Sequence, residues 1–332
     1  MTEKLLSLAN LDPWLARLRE RGSVYAPGTD QAGEVALREW PQPEPLVLDY
    51  KNFREPPKAF FLPRNQTLLY FRDGKTVELN SAVPETFLFG IRPCDARALA
   101  LLDRVFLDGD QNDPYYARLR EKTTVIALAC AQAMPSCFCA SVGSGPGDGS
   151  GADLLAVALE SGLLFRAGSG KGEGLLAEAA DLLAEATPAA KREAAERIQG
   201  VTAQLTPVPT ADSALRLRGS YDSPLWGTAG QKCLGCGTCS FLCPTCHCFD
   251  ITDEPDRRVR TWDCCAYPQF TLHASGHNPR PTPKERWRQR LMHKFRYAVE
   301  NFGVPFCAGC GRCIRNCPVS MDLRTVLKEL GA

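Results

Sequence analysis

Two runs of cysteine constrain this chain more than any other feature. Cys233, Cys236, Cys239 and Cys243 are spaced C-x2-C-x2-C-x3-C with Pro244 next, and Cys307, Cys310, Cys313 and Cys317 repeat the spacing with Pro318 next. Each run presents three thiolates close enough to grip three corners of one cubane, while the fourth, turned away by the chain, reaches a second cluster. Two such runs predict crossed ligation. Cys233, Cys236, Cys239 and Cys317 are assigned to one [4Fe-4S] cluster, and Cys307, Cys310, Cys313 and Cys243 to the other. Structural zinc also uses C-x2-C pairs, but it takes two pairs per tetrahedral site and has no use for a third cysteine in step or a terminal Cys-Pro.

At 332 residues the chain suggests about two domains, either of them long enough to bury its own core. Sixteen cysteines, no apolar signal stretch at the start and no apolar run able to span a bilayer argue against a secreted disulfide framework. They point to metal ligands or redox chemistry in a reducing, cytoplasmic setting. With 39 basic and 38 acidic residues the net charge is +1, so nothing global draws the chain to nucleic acid or an anionic membrane.

The opening "EKLLSLANLDPWLARLRERG" has apolar residues at helical spacing and stops at Gly22, which predicts an amphipathic helix. "PLVLDY" reads as a strand and "TLLYFRDGKTVEL" as a hairpin turning at Asp73-Gly74. "TFLFGI" predicts a buried strand that ends near Cys94 and runs into a helix carrying Leu99, Leu101, Leu102 and Phe106. "TVIALAC" repeats the arrangement, ending at Cys130, with Cys137 and Cys139 in the next loop. Residues 174–200 read as a helix broken near Pro188. "GSGPGDGSG" reads as a surface loop, and "AGSGKGEG" fails as a phosphate loop because Phe165 and Gly172 occupy positions that need glycine and a hydroxyl. The expected organisation is α+β: an α/β domain with a small sheet over 1–205, a linker over 206–225, and a mostly helical ferredoxin-type domain over 226–332.

Sixty-three residues separate Cys243 from Cys307, and "PTPKERWRQRLMHKFRYAVENFG" within them predicts a helix with the stripe Trp287, Leu291, Phe295, Val299 and Phe302 and a stop at Gly303. At residues 226–332 the sequence resembles the alpha-helical ferredoxin domain of fumarate reductase and heterodisulfide reductase iron-sulfur subunits. The C-x3-C-x2-C at Cys239, Cys243 and Cys246 matches a radical S-adenosylmethionine signature only inside the better-explained pattern.

Eight cysteines remain. Cys94, Cys130, Cys137 and Cys139 gather at strand ends and in one loop, where a parallel sheet collects functional groups, and could ligate a third cubane. Buried thiols and zinc are the alternatives there. Cys246, Cys248 and Cys265 are assigned to lining or tuning the neighbouring cluster. The basic residues Lys284, Arg286, Arg288, Arg290, Lys294 and Arg296, with Arg257, Arg258 and Arg260 upstream, read either as solvated faces or as charge placed near clusters or docking a partner. Of the histidines His247, His273, His277 and His293, only His247 stands next to cysteines, as a candidate ligand or proton-coupled neighbour.

"FGIRPCDARAL", "DPYYARLREKTTVIALAC", "CFCASVG", "CLGCGTCSFLCPTCHCFDITDE", "TWDCC", "GHNPR" and "RLMHKFRY" together resemble one family over nearly the whole chain. It is the iron-sulfur beta subunit of soluble sulfhydrogenase-type [NiFe] hydrogenases, close to the iron-sulfur component of anaerobic sulfite reductase. The resemblance implies an electron-transfer subunit between a flavin subunit carrying FAD and exchanging hydride with NAD(P), and a partner holding the catalytic metal. It also maps family cysteines onto Cys94, Cys137 and Cys139, and family positions onto Cys246, Cys248 and Cys265. Cys264 departs from the family pattern and is read as non-ligating. The chain itself offers no dinucleotide fingerprint, no H-E-x-x-H and no nucleophile with a paired base. A catalytic iron-sulfur reductase, of sulfite or heterodisulfide type, and a zinc-stabilised binding module stand as the other classes.

Overall fold

The structure is a computed structural model that describes residues 2–78, 82–110 and 112–330; Leu79, at the end of the expected hairpin, lies outside them. Its strands are β1 (Glu3–Leu6), β2 (Ser23–Thr29), β3 (Val35–Trp40), β4 (Asn65–Arg72), β5 (Lys75–Glu78), β6 (Thr86–Ile91), β7 (Thr123–Leu128), β8 (Leu154–Leu159), β9 (Gly162–Ala167), β10 (Leu183–Glu185), β11 (Phe249–Asp253) and β12 (Arg257–Trp262). Eight of them form one sheet in the order β10-β1-β9-β8-β7-β6-β2-β3, larger than the small sheet expected. The centre, β2-β6-β7-β8, is parallel, and the flanks are antiparallel. Central parallel strands are covered on both faces, so "TFLFGI" and "TVIAL" are runs of apolar residues rather than alternations.

Because β6 and β7 are parallel neighbours, their carboxyl ends open on the same edge, and that edge is where Cys94 and Cys130 stand. Arg92 welds the two ends together. Fully buried, it donates to Leu128 O (3.1 Å), Ala129 O (2.8 Å), Lys51 O (3.0 Å) and Tyr50 O, with its guanidinium 3.8 Å from the Tyr50 ring. The helix Pro93–Phe106 then starts at once, with proline in its first turn and Leu99, Leu101, Leu102 and Phe106 buried.

Three local readings change. The opening segment is α-helical only over Leu11–Arg21, after a 3-10 turn at Leu8–Asn10, because Glu3–Leu6 is captured as a strand between β9 and β10. Pro188 starts a helix, Pro188–Thr202, behind a Thr187 cap that accepts from Ala190 N, instead of breaking one. "PLVLDY" is an irregular segment tied by Val47 N to Pro27 O at 3.0 Å, without a ladder. The hairpin is present, with Asp73 and Gly74 both at positive φ between β4 and β5.

The second half is built on the long helical stretch from Pro283 to Phe302, opened by a Thr282–Glu285 capping box and closed by Gly303 at φ 73. A π-helical turn at His293–Tyr297 interrupts it. Trp287, Leu291 and Phe295 are buried along it, while Val299 and Phe302 are half-buried. The stretch 206–225, expected as a linker, is folded onto this helix: Ser213–Gly219 is helical, Leu217 is fully buried, and Ser213 Oγ donates to Phe295 O at 3.1 Å. Nor is the second half helical throughout, since β11 and β12 join β4 and β5 in a four-stranded sheet ordered β11-β12-β4-β5.

The halves are pinned by Asp95 and Arg312. Both side chains are fully buried and bidentate, at 2.6 and 2.8 Å, and Arg312 Nε donates to Phe53 O at 2.7 Å. Removing one partner of such a pair strands a charge in low dielectric, so Arg312→Met should cost about 3–5 kcal/mol of unfolding free energy. Arg312→Met combined with Asp95→Leu should recover much of that loss. Urea denaturation of both variants checks it, and a single-variant loss below about 1 kcal/mol would contradict the assignment.

Candidate metal centres

All sixteen cysteines are unpaired thiols in the structure. Cys233, Cys236, Cys239 and Cys317 line one recess, which Cys313 also reaches and which Gly237, Thr238, Pro318, Trp287 and Arg290 help to close. Cys243 is brought to the second run through Lys294, which donates both to its sulfur and to the carbonyl oxygen of Phe306, the residue before Cys307. Desolvation pushes up the thiols of Cys307, Cys310 and Cys313, Cys307 and Cys313 to about 12. The first-half four converge as well. Cys94, Cys130, Cys137 and Cys139 line a single recess of about 420 Å³ together with Lys51, Asn52, Met134 and Cys310.

The loops reach these positions by close backbone approach. Phe138 N donates to Gly309 O at 2.9 Å, and a Cβ on Gly309 would stand 2.5 Å from the backbone N and Cα of Cys139. Gly309 also sits at φ +61, so no other residue serves this crossing without strain. Arg315 ties the same junction, donating to Ser136 Oγ (2.8 Å), Cys310 O (3.1 Å) and Asn52 Oδ1 (2.6 Å).

The electrostatics ask for an anion. Lys294 is buried and donates to Cys243 Sγ (3.3 Å), Thr245 Oγ1 (2.9 Å) and Phe306 O (2.9 Å). Arg290, also buried, reaches Cys246 Sγ (3.5 Å), Ser240 Oγ (3.3 Å) and Cys239 O (2.8 Å), and buried Lys58 donates to Cys246 O (2.9 Å) and Ser240 O (3.2 Å). Among the described residues none of the three has a carboxylate within ion-pair distance. Two further donors, Trp287 Nε1 and Arg290 Nε, are buried with no acceptor, and both residues line the Cys233 recess. Buried cations and orphaned donors are costly unless something negative sits among them. Thiolates on an iron-sulfur core carry that charge.

The thiols themselves are poor anions without metal. Burial pushes Cys130 up to about 11 and Cys139 to about 12, and Cys94 goes well above the usual range, with Asp95 adding to burial. Metal entry must therefore displace protons from these sites. Cys243 goes the other way, held down by a hydrogen bond from Cys246 and, against burial, by Lys294 and Arg290. Among the described residues no three Cys, His, Asp or Glu side chains close on one point as a single ion requires.

Cys246, Cys248, Cys264 and Cys265 lie beside this region, hydrogen bonds from Cys248 and Cys264 holding the Cys265 thiol low and one from Cys246 reaching Cys243. Cys264 is fully buried, with Ala266 N donating to its sulfur at 3.3 Å. His247 packs edge-on against Phe106, His293 and Phe306, and burial lowers it to about 4, so it is neutral at physiological pH. The basic cluster divides. Arg286, Arg290 and Lys294 are buried, while Arg257 and Arg258 make exposed ion pairs with Glu254 and Asp253, and buried Arg260 pairs with Asp113. Sequence reasoning missed Lys58, Arg92 and Arg312 altogether; no motif marks a lone basic residue destined for burial.

Residues 232–321 match the family described as the 4Fe-4S dicluster domain. Over 329 residues the chain is 32% identical to sulfhydrogenase 2 subunit beta of Pyrococcus furiosus, covering 95% of this chain and 94% of that protein. The chain belongs to the sulfhydrogenase beta-subunit family. The dicluster match spans both cysteine runs and the Lys294 helix between them, so buried Arg290 and Lys294 lie inside the matched segment, while buried Lys58 reaches it from the first half. No helix among the described residues is long and apolar enough to cross a membrane.

A positive charge that contacts a ligand sulfur stabilises the reduced, more negative state of the core. Lys294→Met should therefore shift a dicluster midpoint potential downward, with iron content unchanged, in a redox titration followed by electron paramagnetic resonance. An unmoved potential would separate the lysine from the redox chemistry.

Proposed function

We propose that the chain is the iron-sulfur electron-transfer subunit of a cytoplasmic multi-subunit oxidoreductase of the hydrogenase type. In this reading it relays single electrons between a subunit that binds FAD and NAD(P) and a subunit that holds the catalytic metal. The observation that carries the reading is the set of three thiol groupings packed against one another, with buried Lys294 and Arg290 held against cysteine sulfurs and without a carboxylate partner among the described residues. The proposed ligand sets are Cys233, Cys236, Cys239 and Cys317, and Cys307, Cys310, Cys313 and Cys243, both read from the spacing, and Cys94, Cys130, Cys137 and Cys139, read from their place at strand ends and in one loop.

When bound, each cubane supplies one-electron chemistry at a potential fixed by its surroundings. The chain's residues do the rest. The cysteines hold, the apolar side chains Phe138, Trp287, Leu291 and Phe295 exclude water, and Lys294 and Arg290 bring positive charge to the sulfurs. Backbone N–H groups add to this: Gly309 N lies 3.4 Å from Cys307 Sγ and Met321 N 3.2 Å from Cys317 Sγ. Of the four thiols beside the cluster region, Cys246, Cys264 and Cys265 are buried and Cys248 is half-buried.

Anaerobically purified chain should contain about twelve irons with matching sulfide, and Cys94→Ala about eight, with the signals of the paired clusters intact. Iron analysis and electron paramagnetic resonance decide it. Eight irons in the unaltered chain would remove the Cys94 site, and zinc in place of iron would remove the electron-transfer reading.

A further inference from the structure

The two outer recesses share no lining residue, yet each takes one thiol from the same third group. Cys313 lines the Cys233 recess, and Cys310 lines the Cys94 recess. We propose that the three cysteine sets stand in a fixed order, with the Cys243–Cys307–Cys310–Cys313 set between the other two, as the only route by which electrons pass from one outer set to the other. The proposal rests on the electron-transfer reading above and adds to it the sequence of sites and their two exits.

The junction on the Cys94 side is the tighter one. Cys94 and Cys310 pack together with Ala98 and Ala308, the Gly309 backbone abuts Cys139, and the Asp95–Arg312 pair locks the residue after Cys94 to the one between Cys310 and Cys313. On the other side, Cys313 enters the Cys233 recess beside Arg290, which donates to Cys239 O at 2.8 Å. Three of the four middle thiols, Cys243, Cys307 and Cys310, are each under 10% exposed, and the fourth, Cys313, is half-buried where it enters the Cys233 recess; Cys94 and Cys139 of the far set are buried to the same degree. By contrast, Cys236 is exposed beside Leu234, at 68% one of the most exposed large apolar residues of the chain. At the far end Cys130 and Cys137 are half-buried, next to exposed Ala131, Gln132 and Pro135. The middle set meets both of the others, whereas each outer set meets only it and opens toward solvent, at Cys236 on one side and at Cys130 and Cys137 on the other, so each outer set is placed to trade with a separate partner.

The test uses the full chain, reduced in steps. A soluble gadolinium chelate should speed the relaxation of two cluster signals and spare the third. Magnetic coupling should survive between the remaining pair in both Cys94→Ala and Cys236→Ala, and vanish in Cys307→Ala, whose two clusters stand apart. Should Cys307→Ala fail to fold, the chelate experiment and the first two variants still decide. Coupling that persists between the outer sets in Cys307→Ala, or a pair left uncoupled in either outer variant, would overturn the order. Equal relaxation of all three signals would also overturn it. Finding only eight irons would instead overturn the underlying three-site reading, so the two failures are told apart.

Discussion

The buried ion pair between Asp95 and Arg312 is the constraint around which the molecule is arranged. Two charges removed from water are tolerable only in good geometry with their remaining hydrogen-bonding capacity met, and here Phe53 O completes the guanidinium's set. Asp95 follows Cys94 in sequence, and Arg312 lies between Cys310 and Cys313. The contact that joins the parallel sheet to the cysteine-rich half therefore also fixes where thiols from both halves meet. Arg92 performs a similar task one step earlier, binding the ends of β6 and β7 so that Cys94 and Cys130 face a common recess.

The same economy of charge explains the core of the second half. Lys294, Arg290 and Lys58 lie among thiols and carbonyl oxygens instead of carboxylates, and Trp287 offers an N–H to a thiol-lined recess. In the absence of metal these groups oppose folding, and in its presence they favour it, so acquiring iron and reaching the compact state are thermodynamically linked.

Much of this was legible in the sequence because cysteine spacing is a local signal. C-x2-C-x2-C-x3-C-P names its own groupings, and the strand-then-cysteine pattern of "TFLFGIRPC" and "TVIALAC" anticipated thiols gathered at one sheet edge. What could not be read is what depends on partners distant in the chain. Glu3–Leu6 has a leucine pattern equally suited to helix and strand, and the strands β9 and β10 decide between them. Pro188 looked like an interruption because its role depends on whether a helix is already under way. The basic stretch 284–296 has the composition of a solvated surface, and only its packing against Cys239, Cys243 and Cys246 shows that three of its cations are interior.

The four-stranded sheet has a consequence for how this chain can be divided. β4 and β5 belong to the first two hundred residues, β11 and β12 to the last hundred, and the seam between β4 and β12 runs along five paired positions. A fragment cut between the halves, however well its cysteines were spared, would present β12 as a bare hydrogen-bonding edge. Such an edge recruits whatever strand it meets, including that of another copy, so a severed half is an invitation to association and not an independent module. The two halves are joined through backbone pairing as well as through their cysteines.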